Sequence, residues 1–390
     1  MRILILTHAQ FVTLALPKYI EMAEVLVSMG HSVTLVATSR RRAVRSERFL
    51  RRGVQYVISP SLLLGRFRHG ADPYDALRRI ALLWRDHFDI IHAVDSRPSV
   101  ILPALVLRRV HHAPLVIEWT DLYSGGGTIS ERSSKLYQIT LGKIESFFEL
   151  NFRKYADGAT AISSYLRKRL VETGFDQRRI LLLRTGCIID DSKITAKGVA
   201  RKKLGLDCSK IYIGYLGRIY PMDHELLIHS FELLSSERRD VELILVGQVD
   251  ERFRRRQDHV TYTGFVGEDR YNDYCNAIDF FVLPFKQTLA NRARWPSKIG
   301  DYLSYAKPIV STKVSDIEEV FRDAAVGVLS TSDGSEDFSS AMKSMIDNKS
   351  LWESWGRNAL GYAKANLDWS MVAAKLVAHF ENALNQSWGK

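Results

Sequence analysis

Short apolar runs recur along the chain, and stretches with helical spacing of apolar residues separate many of them. In the first half the predicted strands are RILILT, HSVTLVAT, DIIHAV, APLVIEW, DGATAIS and RRILLLRTG. Most are apolar at successive positions rather than at alternate ones, which indicates a sheet covered on both faces. The strand–helix alternation predicts right-handed parallel units. The predicted helices include residues 17–30, ended by Gly30, residues 97–110, and one long helix over 133–155.

The alternation stops near residue 190 and resumes near residue 206. The sequence between, DDSKITAKGVARKKLG, is polar and basic. Six more predicted strands follow, KIYIGYLGR, VELILVG, HVTYTGFV, AIDFFVLPF, KPIVST and AVGVL. We therefore predict an α/β protein with two Rossmann-like, doubly wound parallel-sheet domains facing a central cleft, where ligands bind at the carboxyl ends of strands. The predicted boundaries are 1–190 for the first domain, 191–206 for a linker, 207–368 for the second domain, and 369–390 for a C-terminal helix packing back toward the first domain.

Composition and length fit this organisation. A chain of 390 residues, 46% hydrophobic and 25% charged, favours two globular domains. Its three scattered cysteines match neither a disulfide framework nor a zinc pattern, and the histidines show no metal-binding spacing. No apolar stretch approaches the roughly 20 residues that span a bilayer, and we interpret MRILILTHAQF as a buried strand rather than a secretory signal. We expect a cytoplasmic protein without a structural metal.

Positive charge is concentrated in one segment. The net charge is +11, and residues 40–68 contain nine arginines against one acid, Glu47. This segment could be a solvated basic face, a surface for anionic lipid, or a surface for nucleic acid. The absence of any recognisable nucleic-acid module argues against the third possibility. We predict peripheral attachment of residues 40–68 to an anionic membrane, where each basic side chain contributes roughly 1 kcal/mol.

The stretch RWPSKIGDYLSYAKPIVST, residues 294 to 312, has features of an anion site. Pro296 suits a first helical turn, because no backbone N–H is needed there. We expect the amides beyond it to stay unpaired, and such a helix start favours anions. Lys298 adds a mobile positive charge, and Asp301 lies three residues further along on the same face. The stretch predicts binding of a ligand that carries phosphate and hydroxyl groups.

Three other strand ends carry candidate residues. In YLGRIYP, Gly217 permits a turn, and Arg218 could make two parallel hydrogen bonds to a phosphate. A surface ion pair is the alternative for Arg218, but Lys298 at a second strand–helix junction favours phosphate. The turn YTGFVGED could offer backbone groups to a base ring, or it could be an ordinary strand-to-helix turn. In EWTDLYSGGG, a carboxylate of Asp121 or Glu118 could orient or deprotonate an acceptor hydroxyl, or cap the following loop.

In their order and spacing these segments resemble the retaining glycosyltransferases of family 4, which have the GT-B fold. The resemblance covers nearly the whole chain. The segments that carry it are SMGHSVTLVAT, EWTDLY, KYADGATAISSYLRKRLVETGF, RILLLRTGCIID, YLGRIYP, TGFV and PSKIGDYLSYAKPIVST. EWTDLY and PSKIGDYLSYAKPIVST are similar to one branch of the family, whose members often act on lipid-linked or cell-surface glycans.

The resemblance implies roles for individual residues. Arg218 and Lys298 would hold the donor diphosphate, Asp301 would bind ribose hydroxyls in place of the second glutamate of the family's E-x7-E motif, and Asp121 would face the acceptor and the reacting sugar. The implied catalytic set is therefore Asp121, Arg218 and Lys298. The implied donor-binding set is Gly217, Arg218, Phe265, Val266, Pro296, Lys298 and Asp301, with the turn at Phe265 and Val266 meeting the base.

Three positions depart from the family pattern. Ala293 stands where the first glutamate of E-x7-E is expected, Asp223 replaces a lysine, and Thr185 replaces the asparagine of an N-G pair. Lys298 could cover the missing lysine. Three residues near the missing glutamate could contact the donor sugar in its place: Asn291, Arg292 and Arg294.

The resemblance implies a function. The expected activity is transfer of a hexose from a nucleotide-diphosphate sugar to a glycan or lipid-linked acceptor, with retention of anomeric configuration and without a metal or other cofactor. One alternative is a catalytically weak or inactive relative that binds nucleotide sugar or a partner enzyme. A second alternative, a sugar-nucleotide epimerase, rests on fold alone. The sequence leaves the donor base, the sugar and the linkage open.

Overall fold

The structure is a computed structural model that describes residues 1–11, 17–63, 70–132, 134–254 and 258–385. The chain divides into two compact units. The first unit comprises Met1–Gly186, Ala293–Trp295 and Trp369–Lys390, and the second comprises Cys187–Arg292 and Pro296–Asp368. Each unit contains its own sheet.

The first unit contains an eight-stranded sheet with the order β3-β4-β2-β1-β5-β6-β7-β8. All neighbours are parallel except β3 and β4. The strands are β1 (Arg2–Gln10), β2 (Ser32–Thr38), β3 (Glu47–Arg51), β4 (Val54–Ser59), β5 (Ile90–Val94), β6 (Leu115–Trp119), β7 (Gly158–Ala161) and β8 (Ile180–Leu182). The helices are α1 (Pro17–Ser28), α2 (Pro73–Leu83), α3 (Pro98–His111), α4 (Lys135–Ile139), α5 (Leu141–Asn151), α6 (Ser164–Glu172) and, from the end of the chain, α15 (Trp369–Asn385).

The second unit contains a six-stranded, fully parallel sheet with the order β11-β10-β9-β12-β13-β14. Its strands are β9 (Ile211–Leu216), β10 (Val241–Val246), β11 (Val260–Gly264), β12 (Phe280–Leu283), β13 (Ile309–Ser311) and β14 (Gly327–Leu329). The helices are α7 (Lys197–Leu204), α8 (Pro221–Glu237), α9 (Glu268–Ala277), α10 (Leu289–Ala293), α11 (Lys298–Ser304), α12 (Ile317–Ala324), α13 (Ser335–Asp347) and α14 (Trp352–Asn366). The prediction of two parallel-sheet α/β units is confirmed.

Part of the basic segment forms a β-hairpin that the sequence pattern did not predict. Strands β3 and β4 pair antiparallel, and the turn between them places Arg52 and Gly53 at positive φ (48° and 77°). Positive φ at both central residues is typical of tight hairpin turns. Phe49 of β3 stacks on Tyr56 of β4 with ring centroids 5.1 Å apart. The rest of the segment, residues 64–68, lies outside the described residues.

Two further predictions about local structure differ from the observed fold. The predicted long helix over 133–155 is two helices, α4 and α5, because the backbone of Thr140 leaves helical geometry (φ −111°, ψ −90°). The predicted linker contains α7, which belongs to the second unit. Arg201 of α7 is buried against the Asp279 carboxylate. Because α7 is short and one of its two buried residues is an arginine, apolar residues do not recur in it at helical spacing. The sequence pattern therefore did not predict this helix.

The C-terminal helix α15 packs in the first unit's own core. Trp369, Leu376 and Phe380 lie in the hydrophobic cluster that also contains residues of β1 and β2. The Trp369 indole N–H donates to the Glu21 carboxylate at 2.7 Å. Gly186 allows the close approach, because a β-carbon there would lie 2.6 Å from the Trp369 ring.

Among the described residues, no helix combines the length and the apolar character that crossing a bilayer requires.

Two glycines of helix α14 give opposite predictions for stability. A β-carbon at Gly356 would lie 2.3 Å from the carbonyl oxygen of Ala306, whereas one at Gly361 would meet nothing within 4 Å. We expect Gly356→Ala to lower the free energy of unfolding by about 1–3 kcal/mol, as overpacking does. Gly361→Ala should raise it by roughly 0.5–1 kcal/mol through helix propensity. Urea unfolding of both variants measures this, and destabilisation by Gly361→Ala would contradict the described packing.

Candidate functional site

The end of strand β9 forms a tight turn at Gly217. Its φ is +81°, and its backbone N–H donates to the carbonyl of Val246 at 2.7 Å. The end of the neighbouring strand β10 comes so close that a β-carbon at Gly247 would lie 2.7 Å from the Gly217 carbonyl oxygen. Arg218 follows with an exposed side chain, and its guanidinium carbon lies 5.5 Å from the ring centroid of Tyr220. Arg218 therefore places an exposed guanidinium just beyond the carboxyl end of a central strand.

Lys298, the first residue of α11, contacts this same turn. Its ammonium donates to the backbone carbonyl of Arg218 at 2.9 Å and to the hydroxyl of Tyr215. The Tyr215 hydroxyl in turn donates to the Arg218 carbonyl at 3.0 Å, and the ammonium lies 4.2 Å from the centroid of the Tyr215 ring. The structure thus brings Lys298 to the turn at Gly217 and Arg218, although 80 positions separate Lys298 from Arg218 in sequence.

The start of α11 differs from the expectation of free amides beyond Pro296. The amide of Ile299 donates to the Pro296 carbonyl at 3.0 Å, and the amide of Gly300 donates to the Ser297 carbonyl at 3.1 Å. Bonds from residue i to i+3 tighten the first turn and use these donors. The expectation is therefore wrong for these two amides. Any anion at this end of α11 depends chiefly on the charge of Lys298.

Asp301 lies one turn after Lys298. Its carboxylate accepts a hydrogen bond from the hydroxyl of Tyr271 at 3.2 Å. Burial raises the pKa of Asp301 to about 6, while the Tyr271 hydrogen bond and the charge of Lys298 act in the opposite direction. Asp301 can therefore change its protonation state near neutral pH.

The two residues predicted to meet a base follow strand β11. Phe265 is 84% exposed, and Val266 is partly buried. An exposed ring has a face available for stacking on a flat ligand. Strand β11 is separated from β9 by β10 in the sheet, so this turn and Arg218 occupy the same edge of the sheet without being adjacent.

The departure at Asp223 has a structural role in the second unit. The Asp223 side chain is buried in the first turn of α8, and its Oδ1 accepts from the backbone amide of Lys286 at 2.9 Å and from the Asn291 amide at 3.2 Å. Asn291 also donates to the Lys286 carbonyl at 3.0 Å. The carboxylate therefore fixes the loop before α10. Asn291, one of the three suggested substitutes for the missing glutamate, is used within this network.

In the first unit, Asp121 lies just beyond strand β6 and is paired with Arg294. The Arg294 Nε lies 3.4 Å from Asp121 Oδ1, and its Nη2 lies 3.2 Å from the Glu131 carboxylate. The Asp121 side chain remains 41% exposed. Desolvation raises the pKa of Asp121 to about 6, and Arg294 opposes this shift. Sequence analysis did not predict this pair, because 173 residues separate its members.

Two buried carboxylates, Asp95 and Glu118, lie near Asp121. Asp95, directly after β5, has φ +63° and accepts from the hydroxyls of Thr120 and Tyr123, each at 2.9 Å. Sequence analysis missed it, although an acidic residue directly after an apolar strand is the relevant signal. Glu118 was one of the two carboxylates suggested for an acceptor hydroxyl or for capping the following loop, but it is 2% exposed and accepts a hydrogen bond from the Lys18 ammonium at 2.7 Å. Glu118 belongs to strand β6 itself, and its side chain is buried beside α1, where Lys18 lies.

Within the described part of the chain, no three or more His, Cys, Asp or Glu side chains are arranged to hold a metal ion.

Comparisons with known proteins connect this geometry with a family. The model described as "Glycosyltransferase Family 4" matches residues 19–190, and the model described as "Glycosyl transferases group 1" matches residues 210–348. An uncharacterised glycosyltransferase of Methanocaldococcus jannaschii is 24% identical over 268 residues, which cover 66% of this chain and 65% of that protein. The chain spans between half and two thirds of the length of the curated relatives that it matches.

Solved structures confirm the GT-B fold class. Sucrose-phosphate synthase from Thermosynechococcus elongatus superposes with a TM-score of 0.76 at 14% identity, covering 99% of this chain and 100% of that one. Anabaena HepE, solved with UDP and glucose, gives a TM-score of 0.71 at 15% identity, covering 98% of this chain and 100% of that one.

Proposed function

Because this chain belongs to the group 1, family 4 glycosyltransferases, we propose that it moves a hexose from a nucleotide-diphosphate sugar to a glycan or lipid-linked acceptor with retention of configuration. The observation that carries the proposal is the contact between the Lys298 ammonium and the backbone of Arg218. Two cationic residues from separate elements are thereby joined, through the Arg218 backbone, at the carboxyl edge of a parallel sheet, which is where α/β proteins bind phosphorylated ligands.

The proposed chemistry stabilises a leaving group. As the bond between sugar and diphosphate breaks, negative charge collects on the diphosphate oxygens. Lys298 and Arg218 would hold those oxygens, and positioned charges of this kind often supply the largest share of catalysis. Arg218 can bind two oxygens at once through its planar guanidinium, whereas Lys298 acts as a point charge. In the proposed mechanism these two side chains stabilise the charge of the leaving diphosphate, and no step depends on a metal ion.

The other donor-binding residues would fix the nucleoside. Asp301 would accept hydrogen bonds from ribose hydroxyls, and the exposed Phe265 with Val266 would contact the base. Gly217 and Pro296 shape the backbone of the two turns from which Arg218 and Lys298 project. HepE, a structural neighbour, was solved with UDP-glucose, which supports a nucleotide sugar as the donor for this chain as well.

Asp121 is proposed to act on the acceptor. A carboxylate whose pKa lies near 6 is ionised at neutral pH and still has appreciable affinity for a proton. It could accept the proton of an attacking hydroxyl or orient that hydroxyl. Arg294 and Glu131 would hold the carboxylate in position.

The ionisation of Asp301 predicts how donor binding depends on pH. Affinity for a nucleotide sugar should rise between pH 5 and 7, because only the carboxylate accepts hydroxyl hydrogen bonds at both oxygens. In Tyr271→Phe the midpoint should move to higher pH, since the lost hydrogen bond favours the ionised form. Titration calorimetry across this range measures the effect, with Asp301→Asn as the control that should have no midpoint. A midpoint unchanged in Tyr271→Phe would contradict the assignment.

A catalytically inactive nucleotide-sugar-binding protein is the second candidate. The observation that favours it is Ala293, a fully buried residue without any side-chain group that could contact the donor sugar. Against it, the departure at Asp223 has a structural explanation in the loop before α10. A departure from the family pattern can therefore reflect local packing rather than lost activity.

A donor screen separates the two candidates. The purified chain is incubated with a panel of radiolabelled nucleotide sugars, and free sugar, transferred sugar and isomerised donor are quantified. Hydrolysis or transfer from one donor supports the transferase, and retention is then read from the anomeric configuration of the product by NMR. Binding without turnover under every acceptor supports the inactive relative, and isomerisation without an acceptor would indicate an epimerase.

A further inference from the structure

One segment of the first unit comprises helices α4 and α5 and the 3-10 turn Arg153–Tyr155. In this segment acidic side chains face the interior and large apolar side chains face the solvent. The glutamates of α5 face inward. Glu145 binds Arg97, and Glu149 accepts from the Trp119 indole at 3.0 Å and from the backbone amide of Tyr123 at 2.9 Å. Both glutamates are less than 8% exposed. The acidic groups of this segment are therefore satisfied inside the first unit.

The outward face of the same segment is apolar. Six large side chains on it are between 47% and 69% exposed. They are Leu136, Ile139, Ile144, Phe147, Leu150 and Tyr155. On α5, the residues Ile144, Phe147 and Leu150 follow one another at intervals of three, so they lie along one side of the helix. We call these six residues, together with the exposed Lys135, Lys143 and Lys154, the α4–α5 surface.

The charged groups on the α4–α5 surface are all positive. Lys135, Lys143 and Lys154 are exposed between the apolar residues. The only acidic residues between positions 134 and 155 are Glu145 and Glu149, and both are buried. An exposed surface that has apolar and cationic side chains and lacks carboxylates is complementary to an anionic lipid bilayer, in which negative headgroups cover a hydrocarbon layer.

We propose that the α4–α5 surface binds an anionic phospholipid membrane, lying in the interface. Apolar side chains on a helix lying in the plane of a membrane insert below the headgroups, and flanking lysines interact with anionic lipid. Elsewhere in the described chain, exposed apolar residues such as Leu77, Leu233 and Leu351 lie on separate helices. Single exposed apolar residues are ordinary, whereas a contiguous set is a feature of interaction surfaces.

This surface is different from the basic segment 40–68 predicted from the sequence. In the described part of that segment, Arg48 pairs with Asp86 at 3.2 Å and Arg52 pairs with Glu24 at 3.0 Å, so two of its arginines are engaged within the first unit. Phe49 is partly buried against Tyr56. The stretch before the hairpin retains exposed arginines, including Arg41, Arg42 and Arg45. The two surfaces can be tested separately.

The test is flotation with lipid vesicles. The full chain is mixed with vesicles of phosphatidylcholine alone or with about one third phosphatidylglycerol, at low and high salt. We expect binding only to the anionic vesicles, weakened by salt, because exposed charges are screened. Ile144→Ser/Phe147→Ser/Leu150→Ser should lower binding at least tenfold. Lys135→Gln/Lys143→Gln/Lys154→Gln should lower binding and remove its salt dependence.

Matched variants make the result specific. Val199→Ser/Leu233→Ser/Leu351→Ser removes three exposed apolar side chains of the second unit and should leave binding unchanged. Arg41→Gln/Arg42→Gln/Arg45→Gln tests the basic segment. Circular dichroism melting shows whether each variant is folded, and nucleotide binding is measured separately, so failure here does not depend on the proposed transferase activity.

Any of four results would overturn the proposal. They are equal binding of wild type to neutral and anionic vesicles, no binding of wild type to either, unchanged binding of the α5 serine variant, and loss of binding only in the arginine variant. Sedimentation that shows a wild-type dimer and a monomeric serine variant, with no vesicle binding by either, would instead assign the surface to a second copy of this chain.

Discussion

Replacing Lys298 with alanine is expected to lower kcat for sugar transfer by about 10²–10³-fold, the effect of removing one charge-stabilising donor from an active site. The Lys298 ammonium donates to the Arg218 carbonyl and lies over the Tyr215 ring, at the point where the start of α11 contacts the turn after β9. Charge on the departing diphosphate develops as the sugar bond breaks, so the interaction strengthens in the transition state and its loss should reduce kcat more than it raises KM.

The measurement is steady-state transfer with the donor identified by the screen. Lys313→Ala, a change at an exposed lysine of the same unit, is the matched control and should retain full activity. Because Lys298 also bonds to the Tyr215 hydroxyl, thermal melting must show that the variant remains folded. Near-normal kcat in a folded Lys298→Ala protein would remove this residue from the mechanism.

Replacing Asp121 with asparagine is expected to lower kcat by about 10²–10⁴-fold, the range for general acid–base groups. Asparagine keeps the size of the side chain and one oxygen that can accept from Arg294, but it cannot take a proton. Because Asp121 and the cations of the second unit have separate tasks in the proposal, donor affinity should stay unchanged. The loss should therefore appear in transfer and not in nucleotide binding.

Glu131→Gln is the matched control for Asp121→Asn. It alters the other carboxylate that Arg294 contacts, at 3.2 Å, without removing the proposed base. We expect a loss of less than tenfold. If Glu131→Gln and Asp121→Asn reduced kcat equally, the effect would come from disturbing Arg294, and Asp121 would be a positioning residue. Full activity in Asp121→Asn would contradict any role in the reaction.

Sequence analysis predicted the elements that local pattern defines. Continuous apolar strands identified both parallel sheets, and Gly217 and Arg218 were recognised because they directly follow strand β9. Lys298 was predicted at a second strand–helix junction, which is wrong, because α10 lies between β12 and α11. The β3–β4 hairpin was not recognised, because arginines occupy the exposed positions and hide the alternation around Phe49. The break at Thr140 was missed as well, because Thr140 itself is neither glycine nor proline and the nearby Gly142 lies inside α5 rather than at the end of α4.

The remaining features of the site depend on contacts between distant parts of the chain. The pairing of Arg294 with Asp121 joins residues 173 positions apart. The role of Asp223 depends on the loop at Lys286 and Asn291. The apolar α4–α5 surface looks like an ordinary core-facing helix in sequence, and only the burial of Glu145 and Glu149 shows which face points outward. Long-range pairing of this kind leaves no periodic signal in a single sequence.

The central claim is that Arg218 and Lys298 form a diphosphate site. Titration calorimetry of nucleoside diphosphates against the matching monophosphates, across uridine, guanosine, adenosine and thymidine, tests it most directly. We predict that one diphosphate binds wild type at least about tenfold more tightly than its monophosphate, a difference of roughly 1.4 kcal/mol. This preference should disappear in Arg218→Ala and Lys298→Ala. Equal affinity for diphosphate and monophosphate in wild type, or a preference that survives both substitutions, would contradict the account.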